Sequence, residues 1–314
     1  MARALDDLTF LGISHLMVEV HDLESSHAFY ADILGFDVVG NDLWPDCGRH
    51  VVLHAADGQH LILATREDAP DLRETGVHQA YGVSRERRDE IAARLTSGGI
   101  EIRNYREDSA IEKGDNFYFL DPSGNRIQLV ATGDGPSDAP PRLDHAAVQV
   151  ADILWAEQFY TRTLGLPVAH RVGWNTGDYI RARAWAEGKE NMAPGTRRLD
   201  KRYTVMVNRK VVARPNMQIF VRFGETIFAI YLANQHFQEP PEEEFTGTPR
   251  TAFAVAPGVL EEACRRLERE GWAFKGPIHH TAGAPVSASV YFKDPGGNFI
   301  ELTAAEGTQR RAEI

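Results

Sequence analysis

Hydrophobic and polar residues alternate along the first part of the chain in a pattern that predicts a β-strand. After Gly12 the sequence reads Ile-Ser-His-Leu-Met-Val-Glu-Val, which has a period of two. Asp22 then begins a segment with the signal of a helix start, and Leu34-Gly35 closes it. Further strand-like runs follow, at about 36–39, 49–54 and 60–65. This order is that of a βαβββ module.

A second module of the same order follows the first. It starts at Gly76, continues through a charged helix from Arg85 to Thr96, and ends in the hairpin Tyr118-Phe-Leu-Asp-Pro-Ser-Gly-Asn-Arg-Ile-Gln128. Within this hairpin, Asp-Pro-Ser-Gly-Asn is a turn sequence between two apolar runs. We therefore expect Tyr118 and Gln128 to face each other across the two strands, roughly 5 Å apart.

Both modules are repeated in the second half of the chain. Phe159-Tyr-Thr-Arg-Thr-Leu-Gly repeats Phe29-Tyr-Ala-Asp-Ile-Leu-Gly, and Tyr291-Phe-Lys-Asp-Pro-Gly-Gly-Asn-Phe-Ile-Glu301 repeats the Tyr118 hairpin. The fourth module opens at Pro249, and its helix is predicted from Val259 to Arg269. This internal repetition predicts an α+β protein built from four βαβββ modules.

One segment rich in Pro, Gly and Asp divides the chain. The residues at 133–141, Gly-Asp-Gly-Pro-Ser-Asp-Ala-Pro-Pro, can continue neither a helix nor a strand and predict a linker. We expect a first domain at 10–132 and a second at 142–305, each made of two modules. The second domain carries an insertion at about 172–215.

Composition narrows the range of partners. The 314 residues are 43% hydrophobic, enough for a sizeable core, and the net charge of −11 disfavours a nucleic acid partner. No apolar run is long enough to span a membrane and no leader precedes Phe10, so we expect a cytoplasmic protein with a small-molecule substrate. Cys47 and Cys264 are too far apart in sequence to indicate a disulfide framework or a thiolate zinc site.

The insertion is locally basic. Between Arg181 and Arg214 it holds ten basic residues against three acidic ones. A solvated loop explains this composition. The alternatives are a lid that attracts an anionic substrate, or a contact between subunits. We expect this chain to form a homo-oligomer, and an anionic aromatic compound is one candidate substrate.

Six positions on first strands and hairpins line up between the two halves, and most carry residue types that bind metals. They are His15, His78 and Gln128 in the first half, and His145, Arg250 and Glu301 in the second. On each strand the histidine lies on the face opposite to the apolar residues that would pack on the helices. A histidine alone is also well explained as a hydrogen-bonded strand residue. Two imidazoles and one side-chain oxygen together suit Fe(II), Mn(II) or Zn(II).

These features resemble the vicinal oxygen chelate superfamily, which contains glyoxalase I, bleomycin and fosfomycin resistance proteins, methylmalonyl-CoA epimerase and type I extradiol dioxygenases. The resemblance rests on the four modules, on the repeated Phe-Tyr and Asp-Pro-x-Gly-Asn motifs, and on the order of His, His and Gln or Glu. It implies two glyoxalase-like or extradiol-dioxygenase-like domains with cupped mixed sheets.

Two domains in one chain look most like the extradiol dioxygenases, which hold Fe(II) through His, His and Glu in the second domain. The resemblance implies a metal-dependent ring-cleaving dioxygenase with Fe(II), with Mn(II), Zn(II) or Ni(II) as alternatives. It also implies catalytic contacts from Tyr118 and Tyr291, and from a histidine upstream of Tyr291, for which His279 and His280 are the candidates. His280 is our choice.

The chain departs from this pattern at two positions. Arg250 stands where the second domain should have its second metal histidine, and a guanidinium stays protonated and cannot be a ligand. We expect Arg250 to pair with Glu301, or to bind an anionic group of the substrate. In the first domain Gln128 replaces the carboxylate, and Gln is a ligand in the glyoxalase and epimerase branches.

Two metal sites and three functions therefore remain open. The site is His15, His78 and Gln128 or, if modules pair across domains, His145 replaces His15. The extradiol dioxygenase is the first functional hypothesis. A lyase or isomerase like glyoxalase or the epimerase is the second, and a binding protein of the bleomycin resistance type is the third.

Overall fold

The structure is a computed structural model of the whole chain. It describes the residues in the following ranges: 8–43, 48–67, 72–73, 75–103, 116–133, 138–190, 204–207, 210–213, 216–233, 249–256, 258–280 and 284–305. Cys47 and much of the basic insertion lie outside these ranges. Among the described residues, no helix has the length and apolar character needed to cross a bilayer.

In the part of the chain that the structure describes, the first two modules contain seven strands and two α-helices. The first module consists of β1 (Phe10–Val20), α1 (Leu23–Ala28), β2 (Asp37–Asn41), β3 (His50–His54) and β4 (His60–Thr65), with one turn of 3-10 helix at Ala56–Gly58. The second consists of β5 (His78–Val83), α2 (Arg85–Ser97), β6 (Asn116–Leu120) and β7 (Arg126–Ala131). Arg103 forms an antiparallel bridge with Tyr118 of β6.

The last two modules repeat this order. The third consists of β8 (Arg142–Val150), α3 (Ile153–Gln158), β9 (Val168–Val172), β12 (Gln218–Phe223) and β13 (Thr226–Leu232). Its insertion contributes α4 (Thr176–Glu190) and the hairpin of β10 (Thr204–Val207) and β11 (Lys210–Ala213). The fourth consists of β14 (Arg250–Val255), α5 (Val259–Arg269), β15 (Phe274–His279), β16 (Val286–Lys293) and β17 (Phe299–Ala305).

The strands form two large mixed sheets. One has eight strands in the order β15-β16-β17-β14-β1-β4-β3-β2, and the other has seven in the order β6-β7-β5-β8-β13-β12-β9. Strands β1 and β4 are parallel, as are β5 and β7, whereas the hairpins are antiparallel. The α+β class with four modules is confirmed.

The chain divides into two compact units. The N-terminal unit contains Ile13–Ala146 and Gly247–Phe253. The C-terminal unit contains Met1–Gly12, Ala147–Thr246 and Ala254–Ile314.

The helix after the first strand begins at the residue predicted from the sequence, and it changes from an α-helix to a π-helix along its length. Asp22 is the N-cap of α1, and its side chain accepts a hydrogen bond from the amide of Ser25 at 2.7 Å. After six residues the α-helix continues as a π-helical turn at Phe29–Ile33, which buries Phe29 and Tyr30. The same change occurs at Phe159–Thr163.

A buried hydrogen bond connects this turn to the hairpin in the N-terminal unit. The hydroxyl of Tyr30 donates to Asp121 at 3.1 Å. The other oxygen of Asp121 accepts from the amides of Ser123 and Asn125, at 2.9 and 2.7 Å. The side chain of Asn125 donates to the carbonyl of Glu19 on β1, at 2.8 Å. The tyrosine of the repeated Phe-Tyr motif is thus hydrogen-bonded to the aspartate of the repeated Asp-Pro-x-Gly-Asn motif.

The C-terminal unit contains the same contact. Tyr160 donates to Asp294 at 2.8 Å, the amides of Gly296 and Asn298 donate to the other oxygen of Asp294, and Asn298 donates to the carbonyl of Gln149. Burial raises the pKa of Asp294, as it raises that of Asp121. The hydrogen bonds oppose this cost of burial.

We predict that Tyr30→Phe lowers the free energy of unfolding by about 1 to 2 kcal/mol, because it removes one of several donors to a buried carboxylate. Tyr160→Phe should have a similar effect. Urea denaturation measures both changes. Tyr179→Phe, at an exposed tyrosine of α4, is the control and should leave stability unchanged. An equal effect of all three substitutions would contradict this role of the buried pair.

Candidate metal site

His78 lies at the start of β5, on the face opposite to the aromatic core. Tyr81, on the other face of the strand, packs edge-on against Tyr30 and Phe36. Because side chains alternate along a strand, His78 and Ala80 share the face that points away from this core. Nδ1 of His78 lies 2.9 Å from the carbonyl oxygen of Gly76. That oxygen can only accept, so Nδ1 carries the hydrogen and Nε2 carries the lone pair.

The surroundings keep this imidazole neutral. Burial lowers the pKa of His78 to about 3, with a further contribution from the neighbouring His145. A hydrogen bond to the Gly76 carbonyl acts in the opposite direction but does not offset the burial. His78 is therefore a neutral nitrogen donor throughout the physiological pH range, as a metal ligand must be.

His145 on β8 lies beside His78. The two ring centroids are 5.5 Å apart and the rings are nearly perpendicular. Nδ1 of His145 lies 2.8 Å from Oδ2 of Asp144, and the other oxygen, Oδ1, accepts from Arg142 at 3.1 Å. Burial acts to raise the pKa of Asp144, but the hydrogen bond and charge of His145 and the charge of Arg142 outweigh it, and the pKa is lowered. A carboxylate that holds Nδ1 in this way leaves Nε2 for a cation.

Gln128 and Tyr118 complete this group of side chains. Gln128 on β7 is paired with Tyr118 on β6 and with Ala80 on β5, so it shares the face of His78. The centroid of the Tyr118 ring lies 5.5 Å from that of His78. Both Gln128 and Tyr118 are buried. The expected pairing of this tyrosine and glutamine across the hairpin is therefore present.

The donor set fits a divalent cation of borderline character. Two imidazoles with fixed tautomers and one amide oxygen are ligand types that Zn(II), Mn(II), Ni(II) and Fe(II) accept. Within the described ranges, no three residues of the types His, Cys, Asp and Glu form a cluster that could hold a metal. Among the described residues, Gln128 is the candidate for the third protein ligand of a site at His78 and His145.

His15 belongs to the other sheet. It is fully buried on β1, where it is paired with His60 on β4. Burial lowers the pKa of His60 to about 4, with smaller contributions from His15 and His54. The sequence leaves two arrangements open, with either His15 or His145 beside His78. The structure brings His145 next to His78.

The C-terminal unit brings together three of the remaining candidates. Tyr291 and Glu301 are paired across the hairpin of β16 and β17. The hydroxyl of Ser289 donates to Glu301 at 2.6 Å and lies 2.8 Å from Nε2 of His280, and the hydroxyl of Tyr291 lies 3.4 Å from the same nitrogen. His279 is exposed at the end of β15 and has no contact of this kind among the described hydrogen bonds.

Arg250 is buried on β14, in the N-terminal unit. Its pairing with Glu301 stays a prediction. Sequence reasoning missed Ser289, although Ser289 lies two residues before Tyr291 and therefore on the same face of the strand. It also missed Asp144, for which its position next to His145 was the available signal.

A comparison of the chain with known protein families identifies the family to which it belongs. Residues 12–129 and 142–302 match the family model described as the Glyoxalase/Bleomycin resistance protein/Dioxygenase superfamily. The chain belongs to this superfamily. The resemblance inferred from the sequence motifs is thereby confirmed, over both halves of the chain.

Individual relatives are distant. The chain is 27% identical over 124 residues to the metallothiol transferase FosB of Lysinibacillus sphaericus, a match that covers 39% of this chain and 83% of that protein. A structure of a candidate dioxygenase from Bacillus subtilis superposes with a TM-score of 0.61 at 15% identity, covering 98% of this chain and 89% of the other. The structure of glyoxalase I from Zea mays superposes with a TM-score of 0.55 at 16% sequence identity, covering 93% of this chain and 92% of the other. At these identities the structural matches establish the fold alone.

The lowered pKa of His78 predicts a pH dependence of stability. The unfolded chain takes up a proton at this residue below about pH 6.5, whereas the folded protein does so only near pH 3, so stability falls as the pH is lowered between these values. Between pH 7.5 and 5.0 the loss due to His78 is roughly 2 kcal/mol. Urea unfolding of the metal-free protein and of His78→Asn at both pH values tests this. We expect the stability of His78→Asn to change less between the two pH values than that of the wild-type protein. An equal change in both proteins would contradict the assignment of this pH dependence to His78.

Proposed function

We propose that this chain is a divalent-metal-dependent enzyme that acts on a small substrate with two adjacent oxygen atoms. Its protein ligands would be His78, His145 and Gln128. The observation that carries the proposal is the convergence of two imidazoles, with ring centroids 5.5 Å apart, whose Nδ1 atoms lie against the carbonyl of Gly76 and the carboxylate of Asp144. Such anchoring orients both Nε2 atoms and fits metal ligands better than isolated strand histidines.

The charge of this donor set favours a non-redox reaction of the lyase, isomerase or transferase kind. A cation bound here would act as a Lewis acid that polarises the substrate oxygens. Three neutral ligands neutralise none of its charge, so the site favours a substrate that carries or develops negative charge on oxygen. Tyr118, beside His78 and buried, is placed to donate a hydrogen bond to such an oxygen or to hold a proton during the reaction.

The ring-cleaving extradiol dioxygenase with Fe(II) is the second candidate. The proximity of Tyr291 and His280 favours it, because the resemblance to extradiol enzymes implies that these two residues contact the substrate. The identity of the bound metal separates the candidates. Iron in freshly purified protein supports the dioxygenase, zinc, nickel or manganese supports the Lewis-acid enzyme, and absence of metal affinity supports a binding protein.

We predict that the wild-type protein binds about one divalent metal ion per chain and that His78→Ala loses it, because the variant removes one of three protein ligands. Elemental analysis after dialysis measures the stoichiometry. His170→Ala, at an exposed histidine of β9, is the matched control and should retain full occupancy. Full occupancy in His78→Ala would show that the metal is bound elsewhere or not by this residue.

We also predict that Gln128→Glu tightens metal binding on the order of tenfold or more, since an anionic oxygen holds a hard cation better than an amide does. Competition with a chromophoric chelator measures the affinity. Gln79→Glu adds the same charge to the opposite face of neighbouring β5 and should have little effect. If both variants gain equally, charge alone explains the change and Gln128 is not a ligand.

A further inference from the structure

Three histidines of the first module lie side by side on adjacent strands. His15 on β1 is paired with His60 on β4, and His60 is paired with His54 on β3. Residues that are paired directly across neighbouring strands point to the same face of the sheet. The three imidazoles therefore form a row on one face of the N-terminal unit.

Only neighbouring members of this row can hold the same metal ion. Direct cross-strand neighbours lie about 5 Å apart, whereas residues two strands apart are separated by about 10 Å. This spacing agrees with the finding that no three residues of the described ranges form a cluster that could hold a metal. His15 is fully buried, whereas His54 and His60 are partly exposed. The pair of His54 and His60 is therefore the one that an ion can reach from solvent.

The backbone brings the side chains of this pair close together. The amide of Ala55 donates to the carbonyl of Gln59 at 2.9 Å, which makes these two residues a hydrogen-bonded position of the hairpin. In an antiparallel pair such positions alternate with non-hydrogen-bonded ones, at which the side chains are closer. His54 and His60 occupy the adjacent, non-hydrogen-bonded position. Their ring centroids are 6.3 Å apart.

The turn between the two strands is anchored by the side chain of Gln59. Its Nε2 donates to the carbonyls of Ile13 and Leu143, at 3.1 and 3.2 Å. Its Oε1 accepts from the amide of Leu143 at 2.8 Å. Gln59 directly precedes His60, so these bonds fix the backbone at the start of β4. A pair of ligands held in this way loses less entropy when it closes on an ion.

The electrostatic surroundings also suit a cation. Burial and, to a smaller extent, the charges of His15 and His54 lower the pKa of His60 to about 4, so its imidazole is neutral at physiological pH. The neutral imidazole is the form that binds metals. On the other side of the pair, the exposed Asp37 of β2 is the cross-strand partner of His54. Its carboxylate provides negative charge on the same face of the sheet.

We propose that His54 and His60 form a second metal site, which binds Cu(II) through two imidazoles with water in the remaining positions. Two nitrogen ligands and water suit the tetragonal geometry of Cu(II) and Ni(II), and Cu(II) is the divalent ion that such ligands bind most tightly. Two protein ligands hold an ion less tightly than three, so this site loses its ion on dialysis. The inference does not depend on the proposed function, because the pair shares no residue with the site at His78.

The test is a calorimetric titration of metal-free His78→Ala protein with Cu(II), in which the other site lacks one of its ligands. We expect copper binding that pulsed electron paramagnetic resonance assigns to two coordinated imidazoles. His54→Gln in the same background should weaken copper binding on the order of tenfold or more, since it removes one of two ligands that act together at a high effective concentration. His60→Gln should have the same effect, and either variant suffices if the other does not fold.

His170→Gln is the matched control. His170 is an exposed strand histidine whose cross-strand partner is Phe220 rather than a second histidine, and its loss should leave copper affinity unchanged. Equal affinities with and without His54→Gln and His60→Gln, or a single coordinated imidazole, would overturn the inference. His15→Gln tests the other neighbouring pair of the row. A loss of copper affinity in His15→Gln with none in His54→Gln would assign the ion to His15 and His60 and would also overturn it.

Discussion

The buried carboxylate at the start of each hairpin turn is the interaction on which the rest of the fold depends. Asp121 and Asp294 each receive a tyrosine hydroxyl from the π-helical turn, two backbone amides and the side chain of the Asn four residues later. That Asn in turn reaches a first strand. Without these donors a buried carboxylate would be costly, so helix, hairpin and first strand must come together in a single arrangement.

This constraint determines what the hairpin can present. With the turn fixed at Asp121, the strands on either side are held in one register, and Tyr118 and Gln128 become partners on the face that carries His78. A shift of one residue would turn both side chains to the opposite face. The candidate metal site in the N-terminal unit is therefore a consequence of packing in its core. The tautomers of its histidines follow from acceptors provided by the adjacent backbone and by Asp144.

Local patterns in the sequence predict much of this arrangement. The alternation of residues, the repeated motifs and the helix caps identify the four modules, the helix Val259–Arg269 and the pairing of Tyr118 with Gln128. They cannot decide whether His15 or His145 lies beside His78, because strand order within a sheet is set by long-range packing.

The central claim is that His78, His145 and Gln128 form one metal site. Anomalous scattering from crystals of the protein grown with Zn(II) tests it most directly. The account predicts a peak at about 2.0 to 2.1 Å from Nε2 of both histidines, with the side-chain oxygen of Gln128 at about 2.0 to 2.2 Å. A peak at Glu301 with none at His78, or a zinc ion bound only by residues outside these three, would contradict it.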